Sequence, residues 1–196
     1  MRNSTKVTGQ VLTLGFDLDG VIIDHTRKKI LLAAAYGHKL KPRQTPAEVI
    51  EKILPQNQLD EIKYLLYTHP DEALEHPLMS GVKSALHFLK SKKIPFYLIS
   101  RRKSGDLAIE LLKLQGLWPV YFDESNTFFV DKKEDKNIKA KELRVTHYLD
   151  DEHPVLACLA DVPSKYLFDP HRVWLNFATY PKIHSWPEFI VKLQIL

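Results

Sequence analysis

The chain has 196 residues and a formal net charge of +4, which allows one domain with a sizeable buried core and gives no reason to expect a nucleic acid polymer as partner. Its single cysteine, Cys158, excludes an intramolecular disulfide and a cysteine-rich zinc site, and it is expected to be a small buried hydrophobe. No apolar stretch approaches the roughly 20 residues that span a bilayer, and the first residues lack the apolar core of a secretory signal, which predicts a cytoplasmic protein without membrane contact.

The first predicted element is a short apolar strand, Val11 to Phe16, which ends directly before Asp17-Leu-Asp19-Gly. Alternate side chains of a strand share a face, so Asp17 and Asp19 are expected to point into one small volume beyond its end. Two carboxylates held there repel one another unless a cation or a shared proton intervenes, and Mg²⁺ with oxygen ligands meets that need. The alternative is a polar turn, because Asp and Gly are favoured turn residues.

A helical segment follows, from about residue 25 to residue 79. It contains no strand-like run, and prolines separate its helix-like stretches, which are Thr26 to Tyr36, Pro46 to Leu54 and Leu59 to Tyr67. We expect this segment to lie over the crevice at the strand ends as a cap that excludes water and selects the substrate. His25 lies close enough to the first motif to contact a leaving group.

Two further apolar runs end in polar residues, Phe96 to Ile99 before Ser100 and Thr146 to Leu149 before Asp150. Helices are predicted between these strands and the first one. Ser80 is expected to cap the first helix, Ser104 to cap a second that stops at Gly116, and Lys136 to open a third. Such alternation predicts parallel strands whose carboxyl ends meet at one crevice.

The C-terminal part contains two further strand candidates, Tyr166 to Phe168 and Val173 to Leu175. Ser185 and Glu188 have the spacing of a capping box, which predicts a closing helix from Trp186 to Leu196. The predicted fold is therefore α/β, a doubly wound (Rossmann-like) parallel sheet in residues 1–24 and 80–196, with a small helical cap inserted at 25–79.

The motifs, taken in order, resemble those of a known enzyme family. Asp17-Leu-Asp19-Gly-Val, a strand ending in Ser100, a lysine, and Tyr148-Leu-Asp150-Asp151 are similar to the four-motif pattern of the haloacid dehalogenase-like (HAD) phosphohydrolases, over residues 11 to about 155. Lys136 stands where the family usually has its lysine, and Lys139 is the alternative. The segments Val173-Trp-Leu-Asn and Ser185-Trp-Pro-Glu-Phe resemble the 5′(3′)-deoxyribonucleotidase-like branch of the family.

This resemblance implies a role for each motif residue. Asp17 would be the nucleophile, and Asp19 the acid that protonates the leaving oxygen and then the base that activates water. Ser100 and Lys136 would bind the transferring phosphoryl group. Asp17, the backbone carbonyl of Asp19 and the carboxylate of Asp150 would hold Mg²⁺.

Two neighbouring positions are left open by the sequence. Asp151 is either an outer residue of the metal site or a helix N-terminal acid. One of the arginines after Ser100 could bind a second anionic or carbonyl group of the substrate, and Arg101 is preferred to Arg102. Either arginine could instead cover an apolar edge with its stem.

The resemblance implies a Mg²⁺-dependent phosphomonoesterase that works through an aspartyl phosphate on a small phosphorylated metabolite, with a nucleoside monophosphate as the leading candidate. A phosphotransferase or mutase with the same aspartyl phosphate is one alternative. A non-catalytic phosphometabolite-binding protein on the same fold is another. The protein is expected to be a monomer or a homodimer.

Overall fold

The structure is a computed structural model that describes residues 11–102, 105–176 and 179–193. Its centre is a sheet of six strands, all parallel, in the order β3-β2-β1-β4-β5-β6. The strands are β1 (Leu14–Phe16), β2 (Phe96–Ser100), β3 (Thr127–Phe129), β4 (His147–Asp150), β5 (Ser164–Phe168) and β6 (Lys182–Ile183). This order is that of a doubly wound sheet, so the predicted fold class is confirmed.

Nine α-helices are present in the described residues. They are α1 (Thr26–Ala35), α2 (Ala47–Ile50), α3 (Gln56–Tyr67), α4 (Pro70–Ala73), α5 (Val82–Ser91), α6 (Gly105–Leu114), α7 (Lys133–Glu142), α8 (His153–Cys158) and α9 (Trp186–Lys192). A 3₁₀ turn, Pro42–Gln44, lies between α1 and α2.

Helices cover both faces of the sheet, because two apolar clusters flank it. One cluster includes buried side chains of α5, α6 and α9. The other includes Ala140 of α7 and Leu156 of α8. Both faces of the strands are therefore buried, as expected for a parallel sheet between helices.

The segment between β1 and β2 has an apolar cluster of its own. Its members are Ala33, Leu40, Ile50, Leu54, Leu59, Ile62 and Leu66, which come from α1, α2, α3 and the turns between them. A separate core is what a small inserted unit needs for stability. The use of residues 25–79 as a cap stays a prediction.

Three local predictions differ from the structure. No strand forms at Val173 to Leu175, because the buried carboxylate of Asp169 accepts hydrogen bonds from the backbone N–H groups of Val173 (2.8 Å) and Trp174 (2.9 Å) and holds a loop. The last strand is β6 instead. Ser80 does not cap α5, which begins after Gly81, a residue with a φ of 86°.

Smaller differences concern chain ends and exposure. The helix predicted over Pro46 to Leu54 is a single turn, α2, and Cys158 is half-buried instead of buried. The closing helix begins at Trp186 as predicted, with the Ser185 hydroxyl accepting a hydrogen bond from the Glu188 N–H. Ser104 and the predicted helix end at Leu196 lie outside the described residues.

Candidate active site

Three neighbouring strands end at one crevice. Asp17 follows β1, while Ser100 and Asp150 are the last residues of β2 and β4. The strand order reverses between β1 and β4, and open α/β sheets bind ligands at such a switch point. All three residues are buried.

Lys136 joins the two carboxylates that flank the switch point. Its ammonium Nζ lies 2.8 Å from Asp17 Oδ1 and 2.9 Å from Asp150 Oδ2, and the side chain is 1% exposed. Burial disfavours the charged form of Lys136 and so lowers the pKa of its ammonium. The negative charges of Asp150 and Asp17 together have the larger effect and raise this pKa well above its usual range. Lys139, the alternative, pairs with Glu142 on the surface of α7.

A third carboxylate completes an acidic cluster. Oxygen atoms of Asp17, Asp150 and Asp151 all lie within 4.8 Å of one another. Burial raises the pKa of Asp150 to about 7, with Lys136 opposing it and Asp17 adding to it. Burial and then the charge of Glu152 raise the pKa of Asp151 well above its ordinary value. Lys136 thus leaves carboxylate charge uncompensated, and this donor set fits a hard divalent cation.

The turn after Asp19 explains how Asp151 approaches β1. Gly20 has a φ of 82°, and a Cβ added to it would overlap the Asp151 carboxylate. A residue with a side chain would therefore be strained there and would displace Asp151. Glycine in the first motif serves both the turn and the acidic cluster.

Asp19 points its carboxylate away from this cluster. Asp19 Oδ1 lies 2.7 Å from His25 Nε2, and Oδ2 lies 3.7 Å from Arg102 Nε. Burial would raise the pKa of Asp19, but the Arg102 charge and the His25 hydrogen bond hold it below its usual range. Asp19 and Asp17 therefore have separate surroundings. That Asp19 is a metal ligand through its carbonyl oxygen stays a prediction.

The arginine inside the site is Arg102, whereas the sequence preference was for Arg101. Ser100 and Arg102 are 1% and 4% exposed, and Arg101 between them is exposed. In an extended chain every second side chain lies on the same side, and this alternation continues past the end of β2. Arg102 is two residues after Ser100, so the alternation would have indicated Arg102 from the sequence. The Arg101 charge is still close enough to lower the pKa of Glu152, which burial raises.

Residues of the helical segment surround Asp19. The ring of Tyr67 lies 5.3 Å below the Arg102 guanidinium carbon and 5.4 Å from the His25 ring. His76 contacts His25 with ring centroids 4.2 Å apart. Lys29 of α1 donates a hydrogen bond to the Thr45 carbonyl and lines a crevice beside Asp151. The sequence indicated His25, which follows the first motif closely. No local sequence pattern marks Tyr67, His76 or Lys29, because the chain brings them here only by folding.

Comparisons with solved structures identify the fold. A HAD family hydrolase from Deinococcus radiodurans R1, solved with bound phosphate and sodium, matches with a TM-score of 0.63 and 14% identity over 95% of this chain and 96% of that chain. A β-phosphoglucomutase candidate from Thermotoga maritima matches with a TM-score of 0.61 and 18% identity over 95% of this chain and 100% of that chain.

A protein described as a predicted phosphoglycolate phosphatase from Haemophilus somnus 129PT also matches, with a TM-score of 0.61 and 11% identity over 96% of this chain and 100% of that chain. No protein-family model matches the chain, and no curated protein matches it significantly. The chain therefore has the fold of HAD-family hydrolases. In the part of the chain that the structure describes, no helix is both long and apolar enough to cross a membrane.

Proposed function

We propose that this protein is a metal-dependent phosphomonoesterase. The observation that carries the proposal is the ammonium of Lys136 between Asp17 and Asp150, at the ends of two adjacent parallel strands. A purely structural ion pair would not need the third carboxylate of Asp151 beside it. Two structural neighbours support the same chemistry, a HAD family hydrolase with bound phosphate and a protein described as a predicted phosphoglycolate phosphatase.

Asp17 is the nucleophile in this proposal. One of its carboxylate oxygens attacks phosphorus in line with the ester oxygen, so that an Asp17 O–P bond forms while the P–O bond to the leaving group breaks. Water then attacks the same phosphorus, and the Asp17 O–P bond breaks to release phosphate. Lys136 balances negative charge on Asp17 and on the phosphoryl oxygens throughout.

Asp19 moves the protons. It gives a proton to the leaving oxygen in the first step and takes one from the attacking water in the second. The first step requires Asp19 to be protonated when the ester binds, although Arg102 and His25 hold its pKa low in the free protein. The pKa of His25 is lowered, by burial first, so that its imidazole is neutral and its Nε2–H donates to Asp19. This bond holds the Asp19 carboxylate away from Asp17. Ser100 is positioned at the end of β2 to donate to a phosphoryl oxygen.

A divalent cation fits the acidic cluster, since three carboxylates with one compensating ammonium form a hard oxygen donor set with excess negative charge. Asp17, Asp150 and Asp151 would hold it, together with the carbonyl oxygen of Asp19. When bound, Mg²⁺ would neutralise phosphoryl oxygens and orient the ester.

The substrate is proposed to be a small phosphorylated metabolite. Within this class the C-terminal resemblance to the deoxyribonucleotidase-like branch favours a nucleoside monophosphate. Transfer of the phosphoryl group to a second hydroxyl is the other candidate, because one structural neighbour is a β-phosphoglucomutase candidate. Faster reaction of the phosphoenzyme with an added sugar phosphate than with water would favour transfer.

The test is phosphate release from a panel of phosphomonoesters, with Mg²⁺ and with a chelator. We expect release that requires Mg²⁺ and that falls to background in Asp17→Asn, because an amide is not a nucleophile toward phosphorus. Asp161→Asn is the matched control, since Asp161 pairs with Lys141 at the surface. Undiminished release by Asp17→Asn would refute the nucleophile assignment.

A further inference from the structure

Buried nitrogen atoms that lack hydrogen-bond partners collect on one side of Asp19. In the described residues these include Nε and Nη1 of Arg102, Nδ1 of His25 and, apart from an interaction with the Leu66 backbone, the ring nitrogens of His76. The three side chains are between 1% and 4% exposed. Folded proteins satisfy nearly all buried donors, so a group of unsatisfied ones beside a reaction centre calls for a ligand.

Arg102 is the charged member of this group. Its Nη2 donates to the Leu66 carbonyl oxygen at 3.3 Å, while its Nε faces Asp19 Oδ2 at 3.7 Å, too far for a hydrogen bond. Nη1 has no partner among the described residues. A guanidinium presents five N–H donors in a fixed plane that matches an oxyanion, and most of them are unused here.

His76 adds a neutral donor. Burial lowers the pKa of His76 to about 3, so its ring is uncharged at neutral pH. A neutral imidazole still carries one N–H, and His76 carries one in either tautomer. The rings of His76 and His25 contact each other edge to face at an angle of 75°. Arg102 and His76 supply the free donors, and His25 lies between His76 and Asp19. We name these three side chains the donor patch.

The position of the donor patch indicates which part of a substrate it meets. The phosphoryl group belongs with Asp17, Ser100 and Lys136, whereas Asp19 acts on the leaving oxygen. A group bound by the patch is therefore attached to the leaving group, close to the ester oxygen. Arg102 comes from the core, while His25 and His76 bound the helical segment, so ligand binding would link the two parts.

We propose that the donor patch binds an oxyanion, a carboxylate or a second phosphate, carried by the leaving group of the substrate. This inference rests on the proposed phosphatase activity and narrows its substrate class. An uncharged nucleoside leaving group would give Arg102 no ligand beyond Asp19 and the Leu66 carbonyl. The donor patch therefore favours a short hydroxy acid phosphate or a bisphosphate over the nucleoside monophosphate that the C-terminal resemblance favours. Entry of the oxyanion requires the helical segment to move away from Arg102, because the patch atoms are fully enclosed.

The test compares three esters that differ only in the group that would meet the patch. Ethyl phosphate has a methyl group there, 2-phosphoglycolate a carboxylate, and ethane-1,2-diyl bisphosphate a phosphate. A charge-assisted hydrogen bond is worth about 10- to 100-fold in binding, so kcat/KM for at least one anionic ester should exceed that for ethyl phosphate by about this factor. The two anionic esters distinguish a carboxylate from a phosphate ligand.

The matched variants are Arg102→Gln and Arg101→Gln. In Arg102→Gln, the ratio of kcat/KM for the anionic ester to that for ethyl phosphate should fall to within about threefold of one. Arg101→Gln should keep the wild-type ratio, because the Arg101 side chain is exposed. Equal reduction in both variants would indicate a general loss of positive charge and would overturn the assignment to the patch.

A binding measurement separates this inference from the proposed activity and does not depend on how Arg102→Gln folds. Calorimetry of Asp17→Asn with Mg²⁺ should give tighter binding of the anionic ester than of ethyl phosphate. Tighter binding of the anionic ester without any turnover by the wild-type protein would support the donor patch as an oxyanion site and contradict the proposed phosphatase activity. Turnover with equal kcat/KM for the three esters would support the phosphatase activity and contradict the oxyanion site. No binding of any ester would also reject the patch.

Discussion

At the scale of single residues, the site is a balance of buried charges. Lys136 contacts two carboxylates that would otherwise face one another across the switch point, and its side chain is almost completely buried. A buried ion pair adds little net stability over an apolar pair, but removal of one partner is costly because the other charges stay buried. Lys136 is therefore needed for the folded site as well as for catalysis.

Lys136→Met should abolish most phosphate release and lower the free energy of unfolding by about 3–5 kcal/mol, since it leaves two buried carboxylates uncompensated. The measurements are phosphate release and urea denaturation. Lys139→Met is the control, because the Lys139 pair with Glu142 is partly exposed and such pairs contribute about 0–1 kcal/mol. Loss of release in Lys139→Met alone would contradict the choice of Lys136.

The sequence was informative about residues whose position follows from a strand end. Asp17, Ser100 and Asp150 each follow or end an apolar run, and the parallel sheet brings those ends together. The sequence was less informative about residues whose position depends on long-range folding. Arg102 could have been found from the two-residue period, whereas His76 lies more than fifty residues after Asp19 and reaches it only through the fold of the helical segment.

At the scale of elements, the turn after β1 depends on close approach of two loops. Gly20 allows the left-handed turn and leaves room for the Asp151 carboxylate. Nearby, the indole Nε1–H of Trp186, at the start of α9, donates to the Val21 carbonyl at 2.9 Å. The loop that carries Asp17 and Asp19 is thus held by an element from the far end of the chain.

Gly20→Ala should lower stability and reduce Mg²⁺ affinity, because the added methyl overlaps Asp151 in addition to the backbone strain. Gly37→Ala is the matched control. Gly37 has nearly the same φ, 85°, but nothing lies within 4 Å of its added Cβ. Gly37→Ala should therefore lower the free energy of unfolding by only about 1–2 kcal/mol, which is the strain of a left-handed backbone. The measurements are urea denaturation and Mg²⁺ calorimetry, and equal Mg²⁺ affinity in both variants would contradict this role of Gly20.

Helices with a regular apolar pattern over several turns were predicted well from the sequence, whereas short strands and single turns were not. The predicted helix carrying Val82, Ala85, Leu86 and Leu89 is α5, and all four side chains are buried. Val173 to Leu175 has the composition of a strand, but the Asp169 carboxylate takes its backbone N–H groups and a loop results. A competing side chain close in sequence thus outweighed strand propensity.

At the scale of the whole molecule, a doubly wound core supplies the acidic cluster and an inserted helical segment encloses Asp19. Contacts cross between these parts on both sides of the site. Arg102 bonds the Leu66 carbonyl on one side, and the Glu48 carboxylate accepts from the His153 N–H on the other. The proposed function requires both parts, because the core would hold the phosphoryl group and the helical segment the leaving group.

The central claim is that Asp17 becomes phosphorylated during turnover. The direct measurement is mass spectrometry of peptides after rapid acid quenching of the protein with its best substrate from the ester panel and Mg²⁺. We predict one phosphoryl group on the peptide that contains Asp17, and none in Asp17→Asn. Turnover with the phosphoryl group on another residue, or with no phosphorylated protein in a quench fast enough to trap an acyl phosphate, would contradict the account.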